Sequence, residues 1–235
     1  MFLFQLLQIN VAQADTLATI PGEGEATEIS FSLLELAMKG GWIMIPLAFL
    51  SVVAIYIFFE RYFAIRSANQ IDNNFMNRIR DYIKEGRMDA AITLCNNTDS
   101  PVARMIGKGI IRIGRPLNDV HAAIENVGNM EITKLEKGLN VLASVAGGAP
   151  MIGFLGTVIG MIQAFYDMSM AGNNIDISNL SGGIYTAMVT TVAGLIVGII
   201  AYFAYNILVS KVSKVVFKME SNTTEFMDLL NEPAK

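Results

Sequence analysis

Between Gly138 and Ser210 the chain has no lysine or arginine and only two acids, Asp167 and Asp176, so the groups left to do chemistry there are hydroxyls. Thr157 lies in GFLGTVIGM, Thr190 and Thr191 lie in AMVTTVAGLIVG, and Tyr185 and Thr186 stand one turn earlier. A threonine hydroxyl stays un-ionised, so it cannot act alone as acid, base or nucleophile; it can hold water in line and hydrogen-bond a passing group. One such threonine can simply bond the carbonyl a turn behind it. Four of them gather polar oxygen in otherwise apolar helices, where polar groups face a bundle interior or a wet cavity. Thr157, Thr186, Thr190 and Thr191 are therefore the candidate lining of a polar path, and any proton using it needs a carboxylate from another chain.

Other chemistries have no residues to run on. Cys95 and His121 are the only cysteine and histidine, which excludes an intramolecular disulfide and a zinc cluster built from cysteine and histidine. Cys95, in the run DAAITLC, reads as a small buried hydrophobe. His121 follows Asn118-Asp119, a capping sequence, and reads as a surface residue. No nucleophile–base pair, phosphate loop or metal spacing is present, so the chain is not expected to be an enzyme or to hold a metal or cofactor.

The elements that must position the hydroxyls are membrane helices. The 235 residues are 53% hydrophobic and 16% charged, with a mean hydropathy of +0.46. A span needs about 20 mainly apolar residues, and three segments qualify: 33–60, 139–166 and 183–210. Lysine and arginine mark cytoplasmic flanks. Arg61 and Arg66 follow the first span, Lys134 and Lys137 precede the second, and Lys211, Lys214 and Lys218 follow the third. The expected fold is all-α, with the N-terminus outside and the C-terminus inside. A periplasmic segment (1–32) precedes the first span, a helical cytoplasmic domain (61–138) follows it, a periplasmic loop (167–182) joins the other two, and a cytoplasmic tail (211–235) ends the chain.

Phe2–Val11 is apolar and Ala12-Gln13-Ala14 fits a small-residue cleavage site, but no basic residue precedes the run; a short amphipathic helix on the outer membrane surface is expected. In the cytoplasmic domain Phe75, Ile79, Tyr82 and Ile83 recur at helical spacing, which predicts an amphipathic helix over Asp72–Glu85 ended by Gly86. Met88–Cys95 predicts a second helix, and Pro101 opens a third toward Ile113. From about Asn118 the pattern runs into the second span, predicting one helix of about 45 residues that projects below the membrane, with Gly147, Gly148 and Pro150 as the place for a kink.

Small residues form a stripe on each later span. Ala146, Ala149, Gly153, Gly156, Gly160 and Ala164 recur every three or four positions, as do Gly183, Ala187, Thr190, Gly194, Gly198 and Ala201. Gly156/Gly160 and Gly194/Gly198 are GxxxG pairs, which let membrane helices approach closely. Gly153, Gly156, Gly160, Gly194 and Gly198 are the candidate packing residues.

The segments PVARMIGKGI, APMIGFLGTVIGMIQAF and GGIYTAMVTTVAGLIVGIIAYFAYN, long and in this order, resemble the MotA/TolQ/ExbB proton-channel family over nearly the whole chain, and its ExbB-type members most closely. The resemblance implies a homopentamer in the bacterial inner membrane whose second and third spans ring a pore. That pore would hold the single spans of an ExbD-like partner carrying a proton-binding aspartate, the work going to a TonB-like protein for receptor-driven uptake. It maps the family's two pore-facing threonines onto Thr157 and Thr191, with Thr190 an extra neighbour. Membrane lipid is an expected partner and nucleic acid is not. Two positions depart from the family's commoner pattern: Thr186 stands where a glutamate is usual, and Ile200 where a proline is frequent. The first leaves the chain without an intramembrane acid. A TolQ-like, gliding or secretion stator is the alternative within the family, and a non-conducting membrane scaffold is the alternative outside it.

Overall fold

The computed structural model describes residues 40–69, 72, 74–170 and 177–231, all within one compact unit spanning 34–235. Among these residues the regular structure is entirely helical: α1 (Met44–Ala68), α2 (Phe75–Lys84), α3 (Met88–Asn96), α4 (Pro101–Ile110), α5 (Leu117–Glu136), α6 (Leu139–Met170) and α7 (Ile177–Asn231). Three helical stretches are long and apolar enough to cross a membrane: α1, the α5–α6 stretch and α7. The expected N-terminal surface helix lies outside the described residues.

The helices do not end where the expected spans do, and glycines account for two of the differences. At the first span the chain turns at Gly41, whose φ of +68° is the left-handed conformation that glycine alone adopts freely. The helix therefore starts at Met44 and runs on to Ala68, past the expected end at 60. It carries apolar side chains all round, with Phe49, Val52, Tyr56 and Phe59 exposed, as a helix bathed in hydrocarbon must. The single helix expected from Asn118 through the second span is two helices. Gly138, at φ +83°, breaks it between α5 and α6, at the start of the apolar stretch. α6 then continues through Gly147, Gly148 and Pro150 without ending.

The third difference is the largest. The loop expected over 167–182 is helical to Met170 and again from Ile177, and the expected tail is the lower half of α7. At 55 residues α7 is about 82 Å long, far more than a bilayer requires. Below Lys211 it buries Val212, Val215, Met219, Phe226 and Leu229, a helical-period stripe against which the other helices of the body collect.

That body uses large side chains. Phe75 and Ile79 of α2, Ile106 of α4, Ile124 of α5 and Phe226 of α7 are all sealed from solvent. Gly86, at φ +74°, ends the first amphipathic helix as its sequence predicts, and Pro101 opens α4 at a first-turn position where its missing N–H is harmless. The α4 helix closes at Ile110, short of the expected Ile113. Arg61 Nη1 donates to the Lys134 carbonyl at 3.2 Å, tying the end of α1 to α5.

Candidate functional site

α6 and α7 pack along their two small-residue stripes, backbone to backbone. A Cβ placed on Gly153 would lie 2.8 Å from the Thr190 carbonyl oxygen and 3.1 Å from Gly194 Cα; one on Gly194 would lie 2.6 Å from the Ala149 carbonyl oxygen. Further along the seam Gly160 faces Ala187, Gly183 faces Ala164, and Gly198 faces the ring of Pro150. The order is antiparallel, so the glycines that look alike in sequence interlock. Gly147 and Gly148 have nothing within 4 Å and belong to neither stripe. The contacts of Gly153, Gly156, Gly160, Gly194 and Gly198 are thus made within one chain.

The threonines occupy three kinds of place. Thr190 is buried in the seam at 1% exposure, its side chain filling the space that Gly156 leaves open. Thr191, half-buried beside it, donates from Oγ1 across the seam to the Gly153 carbonyl at 3.1 Å. Thr157, also half-buried, donates to the Phe154 carbonyl of its own helix at 2.6 Å. Thr186 is half-buried one turn before Thr190. Gly153 is the hub, since Thr190 Oγ1 also approaches its carbonyl at 3.4 Å while donating to the Ala187 carbonyl at 2.7 Å.

This bonding fixes what the hydroxyls can offer. Each has one hydrogen, and in Thr157, Thr190 and Thr191 that hydrogen is already directed at a backbone carbonyl. The oxygens' remaining capacity is to accept. As arranged, Thr157 and Thr191 match a donor such as water or a protonated carboxylic acid, and a carboxylate would have to draw their hydrogens away first. No residue in this part of α6 or α7 before Lys211 is basic.

Two polar features lie in the body. Glu131 of α5, with a side chain 5% exposed, accepts from Arg104 Nη2 and Lys134 Nζ, both at 2.7 Å, and Arg104 Nη1 reaches Asp99 at 2.6 Å. Burial would push the Glu131 carboxyl up, but the two cationic donors outweigh it and hold it below the ordinary carboxylate value. The i,i+3 spacing of Glu131 and Lys134 is visible in sequence; the Arg104 partner, 27 residues away, is not. Cys95 is buried as expected, and burial pushes its thiol up to about 11. His121 is exposed, 3.9 Å from Glu125, in a helix that starts one residue before the expected Asn118-Asp119 cap, at Leu117 after Pro116. Among the described residues no group of three or more His, Cys, Asp or Glu could hold a metal ion.

The model of the MotA/TolQ/ExbB proton channel family matches residues 97–221, more than half of the chain and the whole of the α6–α7 seam. The chain belongs to this family. Its relatives include a biopolymer transport protein ExbB homolog of Methanothermobacter thermautotrophicus, 27% identical over 191 residues that cover 80% of this chain and 67% of that protein. An ExbB-like biopolymer transport protein of Synechocystis is 32% identical over 194 residues, covering 76% of this chain and 71% of its own length. The biopolymer transport protein ExbB of Xanthomonas campestris pv. campestris is 33% identical over 109 residues, 46% of this chain and 43% of the relative. Membership makes the chain a multi-pass membrane component of the ExbB type, in a family of transport and channel proteins rather than enzymes.

Proposed function

We propose that this chain is the ring subunit of a proton-driven motor in the bacterial inner membrane, with its N-terminus outside and its lysine-rich helix ends in the cytoplasm. Five copies surround a pore that holds an ExbD-like partner, whose membrane aspartate takes up and releases protons. The work goes to a TonB-like protein that drives uptake through outer-membrane receptors. The observation that carries this reading is that Thr157 on α6 and Thr191 on α7, at the Gly153 seam, both spend their hydrogens on backbone carbonyls and keep only the capacity to accept, in apolar helices that carry no acidic or basic residue from 139 to 166 or from 183 to 210.

Such a wall conducts only with a partner that supplies the acid. When the partner's carboxyl is protonated it can donate to Thr157 or Thr191 oxygen; when it ionises, those hydroxyls must turn and give up their carbonyl bonds. One charge moved down 100 mV yields about 2.3 kcal/mol, the same order as the one or two hydrogen bonds exchanged. Proton flux tests this in vesicles holding the chain with or without its partner. The chain alone should leave a pH gradient nearly intact, and Thr157→Val or Thr191→Val should abolish flux of the complex while its size is unchanged. Thr190→Val, inside the seam, should leave most of the flux. Wild-type flux in Thr191→Val would sink the proposal. Thr186→Glu should conduct and Thr186→Leu should conduct less, if position 186 borders the path.

A further inference from the structure

A concave surface lies between α1 and α7, a groove of about 430 Å³ whose walls include Ser51, Ala54 and Phe58 of α1 and Phe203, Ala204 and Ile207 of α7. Among the described residues, Ser51 is the one polar side chain along it. It extends from Ser51 to Phe59 on one helix and from Val197 to Ile207 on the other, about 12–15 Å at the helical rise. That is one leaflet's share of a hydrocarbon layer about 30 Å thick.

The end of the groove is basic. Tyr62 and Lys211 stand four residues beyond Phe58 and Ile207, hence on the same faces, and Lys211 Nζ lies 4.7 Å from the Tyr62 ring centroid. Arg66 follows Tyr62 by one more turn, and Lys214 and Lys218 follow Lys211 down the same side of α7. Lys218 Nζ reaches the Asn69 carbonyl at 3.5 Å. The acids nearby do not offset these charges. Glu60, the one acid of α1, is bonded to Arg61 and by helical position points away from the groove. α7 has no acid before Glu220.

From this geometry we infer that the groove binds one acyl chain of an anionic phospholipid, whose phosphate is held by Lys211 and Lys214 with Arg66 beside them. A neutral lipid would fill the groove and leave its basic end unpaired. A helix from a second copy would also fill it, but the membrane spans of this chain bring no free acid to that depth. Lysine stems lie along apolar surface while their ammonium groups reach the headgroups, and juxtamembrane bases favour anionic lipid.

The full-length protein in its membrane complex provides the test, with Phe203→Trp as a reporter in the groove and Trp42→Phe to remove the native tryptophan. In phosphatidylcholine vesicles, brominated phosphatidylglycerol should quench the reporter's emission at a much lower mole fraction than brominated phosphatidylcholine does. Lys211→Gln with Lys214→Gln should reduce that preference by about fivefold per lysine. Lipid extracted from the detergent-purified complex without the reporter substitutions gives an independent measure. Phosphatidylglycerol should be enriched over its share of the membrane, and the double glutamine variant should lose the enrichment. Equal quenching by the two brominated lipids, or a preference and enrichment unchanged in the double variant, would overturn the assignment. So would an inter-copy disulfide formed efficiently between Ile55→Cys and Ile200→Cys, since a second copy would then occupy the groove.

Discussion

Along α7, Gly194 meets the backbone of α6, whereas Phe226 meets side chains: a Cβ on Gly109 of α4 would lie 2.7 Å from both Phe226 Cε1 and Ile124 Cδ1. The two ends of one helix thus pack under different rules. In the body, water drives Phe75, Ile106, Ile124 and Phe226 together, and burial of large apolar groups supplies the stability. In the membrane segment the surroundings are as apolar as the side chains, so burial supplies little and close backbone approach takes over. The polar residues follow the same division. Thr190 and Thr191 satisfy themselves on carbonyls, while Glu131, itself buried, gathers two cations whose own side chains remain partly exposed.

The sharpest way to break this contrast is to add atoms at both ends. Gly194→Leu should have the largest effect, because its first contacts are the Ala149 carbonyl and the Gly153 backbone, neither of which can rotate away. We expect loss of the assembled complex on size-exclusion chromatography; an intact complex would show that the seam has slack. Gly194→Ala should cost about 1–3 kcal/mol as overpacking. Gly109→Ala meets side-chain atoms of Ile124 and Phe226 rather than backbone, and side chains can shift where a backbone carbonyl cannot, so it should cost less than Gly194→Ala. Melting temperatures of the two alanine variants, measured side by side, decide the point. If Gly109→Ala proves the more damaging, the two ends do not pack differently.

A smaller effect tests the polar half. Arg104→Met leaves the buried Glu131 with Lys134 alone, at a cost of about 1 kcal/mol, toward the low end of the range for a lost hydrogen bond because Arg104 is 41% exposed to screening water. The same network sets an acid limb. The Glu131 carboxyl is held below its ordinary 4.5, so its contribution is complete above that value and is lost as pH falls through the lower folded-state value. Glu131→Gln should flatten the fall in melting temperature below about pH 4.5; a limb as steep as wild type would assign it to other carboxylates.

Much of this is legible in sequence because it repeats. The three apolar stretches and both small-residue stripes follow periods that hydropathy and spacing reveal, and so do Gly86 and the buried face of α2. What sequence cannot tell is whether two glycine stripes meet within a chain or between copies; the contacts of Gly153 and Gly194 place them within one. The break at Gly138 is hidden because one glycine in EKGLN, flanked by good helix formers, gives a weak signal. The lower half of α7 reads as a tail because SNTTE is polar, although Met219, Phe226 and Leu229 keep the helical period. Thr190 groups with Thr191 because they are neighbours in sequence. One helical step of 100° puts the first inside the seam and leaves the second partly open.

That step also governs α7 as a whole. Gly194, Gly198, Ala201, Leu208, Val212, Val215, Met219 and Phe226 are all buried and lie along one side of an unbroken helix, so the membrane seam and the water-soluble core are set in phase by counting residues. An alanine inserted after Ser210 would turn the lower face by about 100° relative to the upper, and both halves could no longer find their partners. Seven inserted residues would restore the phase to within about 20° while lengthening the rod by about 10 Å. Between α5 and α6 the turn at Gly138 resets the count, and there an added residue should be absorbed.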